Sequence, residues 1–416
     1  LQDNHKISFR LWLHREKNKS YFRVLDNIIS KIRPPKKFTG VPKKILLIRN
    51  DKIGDAMVTL PVIRDLKINY PGIKIDVLIS ERNEFIFKNF SYVDELIKFS
   101  PVGWDNDKLP KFPYKLFFIG HIIQFIKFYL LPSLFDSEFK SQIYELKKRN
   151  YDAVVDFVGT RRNIFLSRRI SDYTVGSKVF GLFWLYTYYI DTNWVSNDDK
   201  DFMTKKIENA MTDAFGFNFD NGNKSLPLLN YKINQNKKNY KYFIHLGGSV
   251  FRKFNLEKEK EIIEALSSEN IIVTDAGETP GFKSLKEYFS TNSNIEFRLY
   301  SKITDIFEDI PDCEYFICYD GGQAHFFSQY IKSLVIFGSG SMNLWKPYEF
   351  EEYEMLKKFE NGVVIIKSKG EYGHLAMHRP IWCNPCFDIG CETKPCIESI
   401  TTEQIIYAVN NFLTKS

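Results

Sequence analysis

The stretch from Lys44 to Pro61 constrains this chain more than any other. Ile45-Leu-Leu-Ile48 is apolar at every position, which reads as a strand buried on both faces, as in a parallel sheet. A polar loop follows, with Gly54 just before Asp55. Ala56, Leu60, Ile63 and Leu66 then recur at helical spacing up to Pro71-Gly72, and Ile73 to Ile79 resumes strand character. Strand, glycine loop, helix, strand is a βαβ opening, and ligands of such folds sit at the C-terminal ends of the strands. Asp55 stands at that edge. It also suits a plain helix N-cap, a position that Asp favours.

The pattern restarts once. Tyr242-Phe-Ile-His-Leu-Gly-Gly-Ser249 is again a strand running into a glycine loop. At 416 residues the chain is too long for one ordinary core, so two domains are expected. We place an N-terminal extension over residues 1–43, a first Rossmann-like domain over 44–225 and a linker over 226–239. A second such domain covers 240–400, and a closing helix covers 401–416. Val93–Phe99 and Tyr151–Phe157 supply further strands of the first domain, the latter ending at Asp156. Phe180–Ile190 is an aromatic cluster, core if buried and an adhesive patch if exposed.

The formal net charge of +7 is uneven. Residues 1–50 hold thirteen Lys or Arg against three Asp or Glu, so the remainder is slightly acidic. Basic arms bind nucleic acid or anionic membrane surfaces. Nothing in the chain resembles a nucleic-acid motif, so we expect no nucleic-acid partner and favour a membrane surface. His14, Arg15 and Lys17 break the first apolar residues, so no secretory leader is expected there. An apparent insertion near 105–148 carries the apolar run 116–131, which is interrupted by Lys127 and ends before Pro132. A spanning helix needs roughly 20 apolar residues with few charges. An interfacial, acceptor-cradling or core helix is expected instead.

Chemistry concentrates at a few turns. Gly247, Gly248 and Ser249 precede Arg252 and Lys253; glycines let backbone N–H groups approach a phosphate, and cations complete such a site. Asp275-Ala-Gly277-Glu278 ends another strand. Tyr319-Asp320-Gly321-Gly322-Gln-Ala-His325 is a strand-to-helix junction. His325 reads either as a site residue or as a packed core histidine. Arg161 and Arg162, after Asp156, are candidates to meet an anionic ligand. Asp105-Asn-Asp107 has an Asp-x-Asp metal pattern but no preceding strand of the right kind, and we set it aside. Cys383, Cys386, Cys391 and Cys396 crowd into fourteen residues, a spacing that suits structural Zn or Fe in a reducing compartment; reduced thiols without metal are the plain alternative.

Arg49-x-Asp51-x-Ile53-Gly54-Asp55-x-x-x-Thr59-x-Pro61, followed by Leu66-Lys67, resembles the signature of the heptosyltransferase family of glycosyltransferases (GT9 type). The resemblance implies an α/β GT-B fold, two Rossmann-like domains with parallel sheets facing across a cleft. It implies Asp55 as catalytic base and Lys253, with Arg252 as runner-up, on the donor diphosphate. It also implies Glu278 on ribose hydroxyls and Asp320 facing the sugar. Gly321 stands where relatives often carry Ser or Thr, and Trp345-x-Pro347 also fits. Many relatives carry a cysteine knuckle near this point.

The expected function is inverting transfer of a sugar, heptose from ADP-heptose by family analogy, onto lipopolysaccharide core or a related surface glycan. No catalytic metal is expected, because backbone dipoles and a lysine neutralise the leaving diphosphate. The expected location is cytoplasmic, peripheral to the inner membrane. Alternatives are a GT-B protein glycosyltransferase, a nucleotide-sugar epimerase, or a non-catalytic scaffold assembled through the knuckle.

Overall fold

A computed structural model describes residues 28–29, 31–99, 137–177, 183–190, 202–219, 228–231, 239–248, 252–381, 383–384, 391 and 393–415. The apolar run 116–131, Asp105-Asn-Asp107, the first 27 residues, Ser249 and Cys386 lie outside that set. The chain divides into two compact units. One comprises Leu1–Trp194 and Lys206–Lys224, the other Val195–Lys205 and Ser225–Ser416.

The first unit is built on six parallel strands: β1 (Lys44–Arg49), β2 (Lys74–Ile79), β3 (Glu95–Lys98), β4 (Ala153–Asp156), β5 (Thr174–Ser177) and β6 (Tyr188–Ile190), in the spatial order β3-β2-β1-β4-β5-β6. Ile45 to Ile48 of β1 are fully buried because the strand is central and covered on both faces. Each such side chain contributes roughly 1.5–3 kcal/mol by leaving water. Leu46, Ile48 and Val154 pack with Leu146 of the helix Ser137–Lys148 and with Leu166 and Ile170 of the helix Arg161–Ile170. Of the aromatic cluster, residues 183–190 are described, and there Phe183, Tyr186 and Tyr189 are buried and pack with Ile164.

The helical stretch after β1 is two helices, Ile53–Met57 and Leu60–Asn69, where the spacing read as one. Pro61 is the reason. It has no N–H and its ring would collide with the carbonyl of residue 57, so the helix restarts with proline in its first turn.

The second unit repeats the scheme. Its strands are β7 (Tyr240–His245), β8 (Ile271–Thr274), β9 (Ile295–Phe297), β10 (Cys313–Tyr319), β11 (Ser333–Phe337), β12 (Tyr353–Lys358), β13 (Val364–Ser368) and β14 (Leu375–His378). The parallel part runs β9-β8-β7-β10-β11-β14, and β13 and β12 extend it antiparallel. Exposed β12 carries Glu354, Lys357 and Lys358, charges that discourage edge-to-edge pairing. The last helix packs Ile405, Ala408, Val409 and Leu413 into this unit's core. Within the span read as a linker, Leu228 and Leu229 are buried in the same unit: the Leu228 N–H donates to the Gln329 side-chain oxygen at 2.7 Å and the Tyr330 hydroxyl to the Leu229 carbonyl at 2.8 Å.

The parallel part of each sheet has the doubly wound order, in which the direction of strand addition reverses between the unit's first and fourth strands. That reversal opens a crevice at their carboxyl ends. In the first unit it lies between β1 and β4, in the second between β7 and β10.

Candidate functional site

In the first unit, the residues just past β1 and β4 form a charged group around one buried cation. Arg49, the last residue of β1, is 1% exposed. Its Nε donates to the Asp55 carbonyl at 2.7 Å and its Nη1 to the Phe157 carbonyl at 3.1 Å. The same Nη1 lies 3.2 Å from an Asp51 carboxylate oxygen, whereas Nη2 stays 4.0 Å from the Asp55 carboxylate. Asp55 is not the N-cap of its helix. Lys52 holds that position, and Asp55 sits in the first turn, its side chain about a quarter exposed. An acidic group there is favoured by the helix dipole. The Thr59 hydroxyl donates to the Asp55 carbonyl at 2.9 Å, so Arg49 and Thr59 together fix the backbone that carries this carboxylate.

Burial pushes the Asp51 carboxyl up to about 7, with Arg49 opposing and the neighbouring charge of Asp55 adding. Asp156, at the end of β4, is buried and also pushed up by burial, against hydrogen bonds from Tyr186 at 2.6 Å and from the backbone of Val158 and Gly159. Its oxygens are therefore committed to holding the β4 turn. Arg161 and Arg162 open the helix Arg161–Ile170; their side chains lie outside the described set.

In the second unit, Gly247 and Gly248 follow β7, and Asp320, Gly321 and Gly322 follow β10. Gly247 is required by close approach: a Cβ there would stand 2.2 Å from the His245 ring and 3.0 Å from the Ala276 nitrogen. The His245 Nδ1 accepts from the Gly247 N–H at 2.9 Å, and burial pushes its imidazole down to about 4, so it acts as a neutral acceptor. Gly322 begins the helix Gly322–Phe327, and Gly321 is its N-cap. His325 is buried in that helix and burial pushes it down to about 4, which favours the packed-histidine alternative.

Both candidate cations meet carboxylates. Arg252 pairs with Asp320 at 3.0 Å across the β7–β10 crevice. Asp320 is 3% exposed, and burial pushes its carboxyl up against the pull of Arg252. Lys253 donates to the Leu246 carbonyl at 3.2 Å and lies 3.4 Å from Glu259 and 3.8 Å from Asp275. Buried Glu259 also accepts from the Tyr319 hydroxyl at 3.0 Å; burial pushes it up to about 7 against Lys253. Glu278 stands apart from this group. It is exposed and paired with Lys283 at 3.3 Å.

Sequence patterns assign no role to four of these residues. Arg49 and Asp51 lie inside quoted motifs, Asp275 ends a quoted strand, and Glu259 gives no signal, being one of several charged residues on its helix.

Among the cysteines, Cys396 is buried in the core of the second unit and Cys383 and Cys391 are half-buried. Among the described residues no three His, Cys, Asp or Glu gather in a way that could hold a metal ion. His374, a histidine just upstream of the cysteines, has its Nδ1 accepting from the Ser333 N–H at 3.0 Å and its Nε2 2.8 Å from Glu349.

Two doubly wound units, each with charged and glycine residues past its switch strands, define the GT-B class of fold. The particular version is the heptosyltransferase-like fold of glycosyltransferase family 9. The chain is similar to E. coli ADP-heptose lps heptosyltransferase II, at 12% identity over 89% of this chain and 98% of that one, with a TM-score of 0.58. It is similar to the glycosyl transferase family 9 protein of Veillonella parvula, at 14% identity over 90% and 98%, with a TM-score of 0.56. It is also similar to E. coli heptosyltransferase WaaC with ADP-2-deoxy-2-fluoro heptose, at 14% over 88% and 99%, with a TM-score of 0.55. At such identities the likeness is one of fold. No family profile matches the sequence, and no curated protein matches it by sequence.

Proposed function

We propose that the chain is an inverting glycosyltransferase that moves a sugar, heptose from ADP-heptose, onto a lipopolysaccharide core or related surface glycan. The observation that carries the reading is positional. The candidate donor groups Gly247, Gly248, Arg252, Lys253 and Asp320 collect past β7 and β10, and the carboxylate of Asp55 stands past β1. Those are the strand ends where doubly wound folds take ligands.

In this reading the acceptor hydroxyl gives its proton to an Asp55 carboxylate oxygen while its own oxygen attacks the anomeric carbon. The bond from that carbon to the diphosphate oxygen breaks, and its electron pair leaves with the nucleoside diphosphate. Backbone N–H groups of the Gly247 and Gly321 turns, with Lys253 and Arg252, would meet the charge that develops on the leaving group. No catalytic divalent ion is called for. Glu278 would accept from ribose hydroxyls, Asp320 and Gly322 would face the donor, and Arg161 and Arg162 would meet an anionic acceptor. The basic N-terminal arm would hold the protein at the cytoplasmic face of the inner membrane. No described helix is long and apolar enough to cross a membrane.

A panel of nucleotide sugars tests this. Thermal stabilisation by ADP and ADP-heptose, and transfer of heptose to isolated lipopolysaccharide core, are expected. Stabilisation by UDP- or GDP-sugars alone would redirect the donor assignment, and transfer to a protein rather than a glycan would redirect the acceptor.

A further inference from the structure

Arg49 carries the observation that the mechanism above leaves unused. Its guanidinium is buried and serves two carboxylates unequally: it contacts Asp51 at 3.2 Å and stands off Asp55 at 4.0 Å. Its Nη2 is a buried donor with no hydrogen-bond partner, and the Asp51 Oδ1 is a buried acceptor with none. A guanidinium has five donors in a fork that matches a carboxylate at two points. Nε and Nη1 are given to the Asp55 and Phe157 carbonyls, so it is the unpartnered Nη2, 4.0 Å away, that can move in on the Asp55 carboxylate, and a carboxylate held that way is a poor place for an incoming proton.

We propose that Asp51 is a positioning residue, whose carboxylate holds the Arg49 guanidinium off Asp55 and so leaves the Asp55 carboxylate open to the acceptor's proton. This rests on the glycosyltransferase reading. The groups around Asp51 are Arg49 of β1, Asn50 and Lys52 of its own loop, Asp55 of the following helix, and Asp156 of β4 with Tyr186 bonded to it. Asn83 fixes the other side of Arg49 by donating to its carbonyl at 2.7 Å. Burial places the Asp51 carboxyl at about 7. Once Asp51 takes a proton it no longer competes for Arg49, the guanidinium turns to Asp55, and transfer slows.

The test has two readouts on the full chain. The first is the pH profile of turnover for wild type and Asp51→Asn. Wild-type turnover should fall as pH drops through about 7. Asp51→Asn should sit about tenfold lower at pH about 8 and lose that limb, since it mimics protonated Asp51 at every pH. Asp51→Glu should restore part of the limb. The second needs no substrate: difference infrared spectroscopy should show carboxyl intensity titrating near neutral pH in wild type, to which Asp51 and Glu259 both contribute, and Asp51→Asn should lose the Asp51 share while Glu259→Gln keeps it. A limb that persists in the Asn variant, or a variant as fast as wild type, overturns the proposal. So does near-neutral carboxyl intensity that is the same in wild type and Asp51→Asn. A wild type that transfers no sugar from any nucleotide donor defeats the underlying reading instead, and the infrared arm still reports on Asp51.

Discussion

The Gln323 amide donates to the Gly247 carbonyl at 2.9 Å, and this bond ties the glycine loop after β7 to the helix that follows β10. The same amide donates to the Tyr319 carbonyl at 3.2 Å. Gly321 makes room for it, because a Cβ there would press on the Gln323 side chain at 2.5 Å. The Ser or Thr that the family resemblance suggests at this position would therefore compete with the bridge.

Gln323→Leu keeps the volume and removes the donor. Two buried carbonyls lose their partner, at a cost of about 1–3 kcal/mol. Nucleotide affinity should fall with stability, because the loop that would cradle phosphate is released. Calorimetric titration with ADP, beside a denaturant melt, checks both; unchanged affinity would separate the bridge from the donor site.

Much of this arrangement was legible in the chain. Ile45–Ile48 gives a buried parallel strand, and the restart at Tyr242–Gly248 gives the second unit. The same patterns lead to Asp55, Gly247 and Asp320 at strand ends. The pairings were not legible. Arg252 meets Asp320 across 68 residues, and Lys253 meets Asp275 across a strand crossover, and no local pattern encodes such partners. The break between Met57 and Leu60 was readable from Pro61, but apolar spacing runs smoothly through it.

The neutral histidines give the fold an acid sensitivity. His325 is pushed down to about 4 from an ordinary 6.5, so the folded state binds fewer protons than the unfolded state between those values. Stability from this residue is fully present above about 6.5 and is lost as pH falls toward about 4. Relative to His325→Gln, wild type should lose up to about 3 kcal/mol over that window. Denaturant melts at a series of pH values measure it. A constant difference between the two proteins would show that His325 does not carry the effect.

The four-cysteine segment should hold about one metal ion per chain only if Cys383, Cys391 and Cys396, which do not gather as described, close around the ion together with Cys386. Elemental analysis of reduced protein, purified without metal-affinity resin, decides it. Cys386→Ser should then lower stability more than nucleotide affinity. Metal well below one equivalent would leave Cys396 as the packed core thiol that its burial already makes it.

The basic arm should drive binding to anionic vesicles. Lys36 and Phe38 donate backbone bonds to Thr187 and Ala214 within the first unit, so a truncation of residues 1–27 removes charge without disturbing that attachment. Each basic residue near such a surface contributes about 1 kcal/mol, and added salt weakens the effect. Co-sedimentation with anionic and neutral vesicles should show binding to the former that truncation abolishes; equal absence from both in the full chain rules the arm out.

The account stands on Asp55 as the base, and turnover of Asp55→Asn tests it most directly. The carboxylate sits in the first turn of its helix and not at the cap, so Asn should change stability by no more than about 1 kcal/mol. A positioned base contributes roughly 10²–10⁴-fold, so turnover should drop by at least about a hundredfold. ADP affinity should hold, because Asp55 and the proposed donor residues belong to different units. Near-normal sugar transfer by a folded Asp55→Asn protein would contradict the assignment.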